Sequence, residues 1–165
     1  MNVELVTAYL CLGSNMGDRK GNLDKAMEYL SQRLRITEKS SVYDTEPVGN
    51  PEQPRFLNMV CQVKAMLKAA DLLVLAKAIE RKLGRMPGRS NSPRPIDIDI
   101  LFYGDEIVKT PELTIPHPRL AQRAFVLVPL AEIAPALVHP ENKKTANELL
   151  KELKKGVQGV LKLED

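Results

Sequence analysis

Apolar and polar positions alternate along the chain with two different periods, which predict strands and helices. A period of two marks strands: in residues 58–65, Met59, Cys61, Val63 and Ala65 fall on one face. A period near 3.6 marks helices, in which one apolar stripe faces the core. The pattern predicts strand, helix, strand, strand, helix and strand, over residues 6–12, 23–34, 36–43, 58–65, 72–83 and 96–103. This order predicts an α+β fold with a ferredoxin-like βαββαβ core and both helices on one face of the sheet.

Weaker signals predict a C-terminal extension to this core. Residues 104–105 predict a turn that leads, as a hairpin, into residues 106–108. Thr145 and Glu148 have the spacing of a capping box and predict a terminal helix. No second domain is visible, so residues 1–165 are expected to form a single domain with an extra hairpin and helices at the end.

Prolines and a cap residue mark the breaks between elements. Asp71 is predicted to cap the second helix. All twelve prolines lie between Pro47 and Pro140. Residues 45–55 are predicted to be a loop because they contain Pro47, Gly49, Pro51 and Pro54.

Composition excludes several classes of protein. The chain has 24 Lys+Arg and 21 Asp+Glu, and a net charge of +3 is too small to indicate a nucleic-acid coat. Aromatic residues make up 4% and there is no Trp, so stacking platforms for strings of bases are not expected. Neither a secretory signal nor a membrane-spanning run is visible, which predicts a cytoplasmic protein without a membrane partner. Cys11 and Cys61 lie in apolar runs and are expected to be buried small hydrophobic residues.

The strongest local signal is a pair of acidic residues in the fourth predicted strand. Asp97 and Asp99 share one face of this strand, while Ile98, Ile100 and Phe102 are expected to face the core. Two neighbouring carboxylates repel each other, and a divalent cation such as magnesium carrying phosphate relieves the repulsion. A solvated polar face, or an aspartate paired with a nearby arginine, remains an alternative.

A basic segment precedes these acids. Five positive residues and only one negative residue, Glu80, lie in residues 80–94, so the segment carries +4 and the rest of the chain −1. Arginines that hold oxyanions, placed beside acids that hold a metal, are suited to a polyphosphate. The chain has no P-loop motif. Backbone amides of residues 13–17 could hold an anion, but a turn that needs glycine is the simpler interpretation. His117 lies in a Pro-His-Pro loop where it could donate to phosphate, whereas His139 is expected to be structural.

Several motifs in order resemble one known family. They are Gly13-Ser14-Asn15, Thr45-Glu46-Pro47-Val48-Gly49, Gln53-Pro54-Arg55-Phe56-Leu57-Asn58, Ile79-Glu80 with Gly84-Arg85, Arg94-Pro95-Ile96-Asp97-Ile98-Asp99, Ile115-Pro116-His117-Pro118-Arg119 and Arg123-Ala124-Phe125. Across about residues 8–140, the chain resembles the 6-hydroxymethyl-7,8-dihydropterin pyrophosphokinases of folate biosynthesis, enzymes with a ferredoxin-like core.

The resemblance implies a reaction and its cofactors. Pyrophosphate would pass from ATP to the hydroxymethyl oxygen of the pterin, which attacks the β-phosphorus, and AMP would be released. Asp97 and Asp99 would hold two magnesium ions that bridge the triphosphate. The catalytic residues implied are Asp97, Asp99, Arg85 and Arg94. The nucleotide-binding residues implied are Glu80, Arg85, Arg94, Ile100, Thr114, His117 and Arg123, although a structural ion pair is an equal alternative for Glu80.

The resemblance also implies a pterin site. Phe56 and Phe125 would sandwich the pterin ring, Asn58 would bind its aminopyrimidine edge, and Thr45 and Val48 would complete the pocket. Plain core packing is the alternative for the two phenylalanines. The expected partners are these small-molecule substrates alone, with the chain a monomer or a weak homo-oligomer.

The chain departs from the family pattern in one segment. Many members carry Trp-Gly before the Pro-Arg motif, where this chain has Ser90-Asn91-Ser92, and Pro87 stands where an arginine is common. A binding module without catalysis is therefore an alternative function. An RNA-binding ferredoxin-like domain would need exposed aromatic residues on its central strands, and the strand at residues 58–65 offers none on its alternating positions.

Overall fold

The computed structural model describes residues 5–47, 52–85, 93–153 and 159–163. The strands are β1 (Val6–Ser14), β2 (Arg35–Lys39), β3 (Tyr43–Thr45), β4 (Phe56–Ala65), β5 (Asp97–Tyr103), β6 (Val108–Lys109), β7 (Thr114–Ile115) and β8 (Val160–Lys162). The helices are α1 (Arg19–Ser31), α2 (Ala69–Lys82), α3 (Ala124–Ile133) and α4 (Ala146–Leu153), with a 3₁₀ turn at Leu120–Gln122.

The main sheet is antiparallel and has the strand order β5-β1-β4-β3-β8, with β2 also paired to β4. This arrangement confirms the predicted α+β fold with a ferredoxin-like core. The strand predicted over residues 36–43 is two strands in the structure. Between them Ser40 accepts the Val60 N–H through its hydroxyl at 2.9 Å and donates its own N–H to the Val60 carbonyl at 2.8 Å. A side chain thus replaces a backbone acceptor at this point, and the regular strand is interrupted.

Each face of the sheet is covered by a pair of helices. On one face α1 and α2 bury Leu23, Leu30, Leu72 and Ile79, as the helical pattern predicts. On the other face α3 and α4 of the C-terminal extension bury Leu127, Leu130 and Leu149 against Val60 and Leu101. Because both faces are covered, a site with access to solvent has to lie toward the ends of the strands.

A β-bulge in β5 changes which way its last residues face. Leu10 of β1 pairs with Ile100, but the next residue back, Tyr9, pairs with Phe102, so Leu101 is an extra residue. Leu101 and Phe102 therefore both face α3 and α4, and the Phe102 ring lies 6.2 Å from the Tyr9 ring. The prediction that Phe102 shares the core face of Ile98 and Ile100 is wrong, because strict alternation does not continue through a bulge.

Two other local predictions are wrong. Helix α2 begins at Ala69, with Lys68 at its N-cap position and no side-chain cap, so Asp71 lies in the first turn instead of capping it. The turn predicted at residues 104–105 is present, but the segment after it does not pair back onto β5. Instead β6 pairs with β7, because the Thr110 N–H and the Leu113 carbonyl, 2.9 Å apart, close a tight turn between them.

The predicted terminal helix is confirmed with its capping box. The Thr145 N–H donates to Glu148 Oε1 at 3.0 Å, and the Glu148 N–H donates to Thr145 Oγ1 at 3.1 Å. The last strand, β8, has no counterpart among the sequence predictions. None of the helices in the described ranges is long and apolar enough to cross a membrane.

Candidate active site

Three residues on three neighbouring strands, β5, β1 and β4, form one row across the sheet. Gly13 of β1 pairs with Asn58 of β4 on one side and with Asp97 of β5 on the other. A Cβ atom on Gly13 would lie 2.5 Å from Asn58 Oδ1, closer than real Cβ contacts allow. Glycine at this position therefore leaves space between an amide and a carboxylate, and we call Asp97, Gly13 and Asn58 the cross-strand row.

A cavity opens above this row. Residues predicted to bind either of the two substrates line this cavity, and they come from strands β3, β4 and β5 and from the start of α3. The predicted site residues that line it are Thr45, Phe56, Asn58, Arg94, Asp97, Asp99, Arg123 and Phe125. Residues separated by up to 80 positions in the sequence thus share one cavity.

The two acidic residues of β5 have different surroundings. Asp97 Oδ1 lies 2.7 Å from Arg85 Nη1, and Asp97 Oδ2 lies 3.4 Å from Arg94 Nη1. Burial raises the pKa of Asp99 above its usual range, Asp97 raises it further, and Arg123 opposes both effects. The two carboxylates therefore repel each other, and a divalent cation bound by both would relieve this repulsion. Their hard oxygen donors fit magnesium, and no third His, Cys, Asp or Glu joins them in a cluster among the described residues.

Each aromatic ring in the cavity has an arginine over it. The Arg94 guanidinium carbon lies 5.8 Å from the centre of the Phe56 ring, and that of Arg123 lies 5.4 Å from the centre of the Phe125 ring. The rings predicted for the pterin are therefore in contact with the cations predicted for the triphosphate.

A buried hydrogen bond orients the amide in the cross-strand row. Asn58 Nδ2 donates to Thr45 Oγ1 at 2.6 Å, and both residues are buried. The bond orients the Asn58 amide so that its Nδ2 lies toward Thr45 and its Oδ1 lies beside Gly13. One face of the cavity thus presents fixed hydrogen-bonding groups to a flat polar ligand.

Comparison with known proteins identifies the family. The family model described as 7,8-dihydro-6-hydroxymethylpterin-pyrophosphokinase (HPPK) matches residues 9–135. The chain is 42% identical over 144 residues to the 2-amino-4-hydroxy-6-hydroxymethyldihydropteridine pyrophosphokinase of Aquifex aeolicus, covering 87% of this chain and 90% of that protein. The chain belongs to the HPPK family. Its activity is therefore pyrophosphoryl transfer to hydroxymethyldihydropterin in folate biosynthesis, and enzymes of this family use ATP.

Other relatives of this HPPK chain are much longer. It is 41% identical over 148 residues to folic acid synthesis protein FOL1 of Dictyostelium discoideum, which covers 90% of this chain but only 22% of that protein. Among solved structures, wild-type HPPK-DHPS of Plasmodium falciparum with pteroate gives a TM-score of 0.78 at 17% identity, covering 98% of this chain and 46% of that one. The chain spans less than half the length of either protein, and at this identity the second comparison supports the fold alone.

Glu80 lies outside the cavity of this HPPK and is held by structural contacts. Its buried carboxylate accepts the Ile98 N–H at 2.8 Å and pairs with Arg85 Nη1 at 2.9 Å and with Lys77 Nζ at 3.4 Å. Burial opposes the charge of Arg85, but Asp97 and Glu80 hold the pKa of this guanidinium above its usual value. Of the two alternatives given for Glu80, these contacts favour the structural ion pair, and contact with the nucleotide stays a prediction.

The other predicted nucleotide residues lie near β5 but do not line this cavity. The Ile100 side chain is buried against α1 and α2, so a contact with a base would have to come from its backbone. Thr114 belongs to β7. The His117 N–H donates to the Leu101 carbonyl at 3.1 Å, and burial together with Arg123 lowers the pKa of His117 to about 4. His117 is therefore neutral near pH 7.

Some predictions fall outside the described residues, and some site residues were missed. Val48, Pro87 and residues 90–92 lie outside the described ranges. Asn15 and Gln53 lie within two of the family motifs, but no role was predicted for either residue. Both are buried and joined by a hydrogen bond of 2.8 Å. The signal available for Asn15 was a polar side chain within residues 13–17, a segment that was expected to form a turn because it contains glycine.

Proposed function

We propose that this HPPK transfers pyrophosphate from ATP to the hydroxymethyl oxygen of 6-hydroxymethyl-7,8-dihydropterin through the cavity above the cross-strand row. A bond forms between this oxygen and the β-phosphorus, the bond from the β-phosphorus to the α,β-bridging oxygen breaks, and AMP leaves while the hydroxyl proton is released. The observation that carries the proposal is the placement of Asn58 and Asp97 on either side of Gly13 in one cavity.

The pterin is bound by the part of the cavity between β4 and α3. Phe56 and Phe125 are suited to stack on its two faces, and Asn58, oriented by Thr45, is suited to bind its aminopyrimidine edge. Val48 is the remaining residue proposed for this pocket. A ring held on both faces and along one edge has few remaining degrees of freedom, which brings its hydroxymethyl group into a defined position.

The triphosphate is bound toward β5. Asp97 and Asp99 are the residues that would hold magnesium, and we propose two ions. Magnesium would neutralise part of the negative charge of the triphosphate. Arg94 and Arg123 line the same cavity, and Arg85 contacts Asp97, so the three guanidiniums are suited to hold phosphate oxygens. Glu80, Ile100, Thr114 and His117 are the further residues proposed near the nucleotide.

The chain's own residues contribute mainly position and electrostatics. The arginines are held in advance by Asp97 and by the aromatic rings, so little reorganisation is needed when charge moves onto the α,β-bridging oxygen. Burial between α3 and the sheet lowers the effective dielectric constant around these groups and strengthens their effect on the phosphates.

The direct test is a product assay. The protein is mixed with ATP, magnesium and 6-hydroxymethyl-7,8-dihydropterin, and nucleotide products are separated by chromatography. We expect AMP in equal amount to the pterin pyrophosphate. ADP as the product would contradict the proposal, and so would pterin binding with no AMP, which is the result expected of a binding module without catalysis.

We also propose the organisation inferred from the sequence. Residues 1–165 form a single pyrophosphokinase domain, which acts in the cytoplasm on small-molecule substrates as a monomer or weak homo-oligomer. Sedimentation analysis of the purified chain, with and without both substrates, tests the oligomeric state.

A further inference from the structure

The side chain of Asn15 is almost completely buried just after β1 and joins two separate loops. Its Nδ2 donates to Gln53 Oε1 at 2.8 Å and to the Pro54 carbonyl at 3.2 Å. Its Oδ1 accepts the Arg94 N–H at 2.8 Å, and its own backbone N–H donates to the Arg94 carbonyl at 3.2 Å. Both amide hydrogens and the amide oxygen are therefore committed to the two loops.

The two loops carry groups for different substrates. Pro54 precedes Phe56, a proposed wall of the pterin pocket, by two residues. The guanidinium of Arg94 lies over the Phe56 ring and beside Asp97, on the triphosphate side. Because one amide is bonded to both loops, a displacement of either loop is transmitted to the other through Asn15.

We propose that Asn15 is a positioning residue that couples the pterin site to the triphosphate site. Asn15 is not among the described residues that line the cavity, so it acts through Phe56 and Arg94 by fixing the distance between them. Contact of the nucleotide with the Arg94 guanidinium restrains the loop that carries it, and Asn15 transmits this restraint to the pterin loop. This inference rests on the proposed function, since the roles of Phe56 and Arg94 come from it.

The chain offers a matched control for this proposal. Asn22 is also an asparagine, and its Nδ2 donates to Ser14 Oγ at 3.3 Å and to the Met16 carbonyl at 2.9 Å, in the same turn. These contacts reach neither the pterin loop nor Arg94. Asn15→Ala and Asn22→Ala therefore both weaken the turn, but only the first separates the two loops. Gln53→Ala, which removes one of the contacts of Asn15, provides a second and milder variant.

The experiment measures binding coupling as well as turnover. The Kd of the pterin is determined by titration alone and with magnesium and an ATP analogue that has a methylene bridge between the α- and β-phosphorus, the bond that would otherwise break. In the wild type we expect the analogue to tighten pterin binding by about fivefold or more. In Asn15→Ala we expect this enhancement to fall toward one, and kcat to fall by about tenfold to a hundredfold. Gln53→Ala is expected to change both in the same direction by less, and Asn22→Ala to keep the wild-type enhancement.

The outcomes separate this inference from the proposed function. If the wild type releases no AMP, the proposed function fails and the inference fails with it. If the wild type releases AMP but Asn15→Ala keeps the wild-type enhancement, or matches Asn22→Ala in kcat, only the coupling role of Asn15 is overturned. Should Asn15→Ala not fold, Gln53→Ala decides: an unchanged enhancement in that variant also overturns the role.

Discussion

Asn58 and Asp97 lie in the same row of the sheet, one strand on either side of Gly13. Neighbouring strands are about 4.8 Å apart, so the backbones of these two residues are separated by roughly 10 Å. This separation is set by the backbone hydrogen bonds of β4 and β5 to β1 and not by flexible side chains. The distance between the group that would bind the pterin and the group that would hold magnesium is therefore built into the sheet.

Gly13→Ala tests the space in the middle of this row. The new methyl group would press on Asn58 Oδ1, and we expect the KM for the pterin to rise by about tenfold while the KM for ATP changes little. The same substitution in an Asn58→Ala background should add almost nothing, since the clashing atom is gone. Equal effects in the two backgrounds would show that Gly13 acts on something other than Asn58.

Asp97→Asn and Asp99→Asn test the two acidic residues. We expect each to reduce the rate of AMP formation by at least about a hundredfold, because each removes a charge that would hold magnesium at the triphosphate. Circular dichroism and the melting temperature should show an intact fold. Asp105→Asn, in the exposed turn after the same strand, is the control and should have wild-type activity. Wild-type turnover in either site variant would rule out the metal assignment.

Thr45→Val tests the orientation of the Asn58 amide. The substitution keeps the shape of the side chain but removes the acceptor of the 2.6 Å hydrogen bond from Asn58 Nδ2. Without this acceptor the Asn58 amide is no longer held in the orientation proposed for pterin binding, so we expect pterin affinity to fall by about tenfold. Thr37→Val removes a comparable bond to Gln62 on an exposed strand and should leave pterin affinity unchanged. An unchanged Kd in Thr45→Val would show that the hydroxyl of Thr45 makes no contribution to pterin binding.

Glu80→Ala distinguishes a structural carboxylate from one that contacts the nucleotide. Loss of the acceptor for the Ile98 N–H and of the partner of Arg85 should lower the free energy of unfolding by about 2 kcal/mol. Lys77→Ala removes only an exposed partner of the same carboxylate and should cost less than about 0.5 kcal/mol. Urea denaturation measures both. If Glu80→Ala kept wild-type stability and raised the KM for ATP alone, Glu80 would be a nucleotide ligand instead.

His117 gives a prediction for the dependence of stability on pH. Burial and Arg123 lower its pKa in the folded protein to about 4, against 6.5 in the unfolded chain, so the unfolded state binds more protons between these values. The free energy of unfolding should therefore rise with pH from about 4 to 6.5, and His117→Asn should reduce this slope. The chain has only two histidines, so proton NMR can follow both directly. A His117 signal that titrates near pH 6.5 would contradict the prediction.

The sequence predicts the core strands and helices well because their apolar periods are regular. The terminal helix is predicted for a different reason: the capping box at Thr145 is a local contact that sequence spacing specifies. The bulge at Leu101 was missed because one extra residue turns the following side chains to the other face of the sheet, while the segment remains equally apolar. The start of α2 was misplaced because Lys68 caps it without a side-chain signal.

The site was predicted in part, and the limits have physical causes. Asp97 and Asp99 are recognisable because residues two apart on one strand share a face. The alternative that an aspartate pairs with a nearby arginine applies to Asp97, which contacts Arg85 and Arg94. That Asn58 and Asp97 belong to the same row depends on strand register, which a single sequence does not encode locally. The role of Asn15 depends on two loops brought together from 38 and 79 residues away.

The bulge in β5 ties the helical layer to the acidic residues. Since Leu101 and Phe102 both face α3, that helix packs on the strand that carries Asp97 and Asp99, and Leu101 follows Asp99 by only two residues. The positions of Arg123 and Phe125, at the start of α3, therefore depend on the apolar packing of α3 on β5. A smaller side chain at Leu101 should therefore slow the enzyme, because it would let α3 tilt and would displace the residues at the start of α3 that face the proposed pterin site.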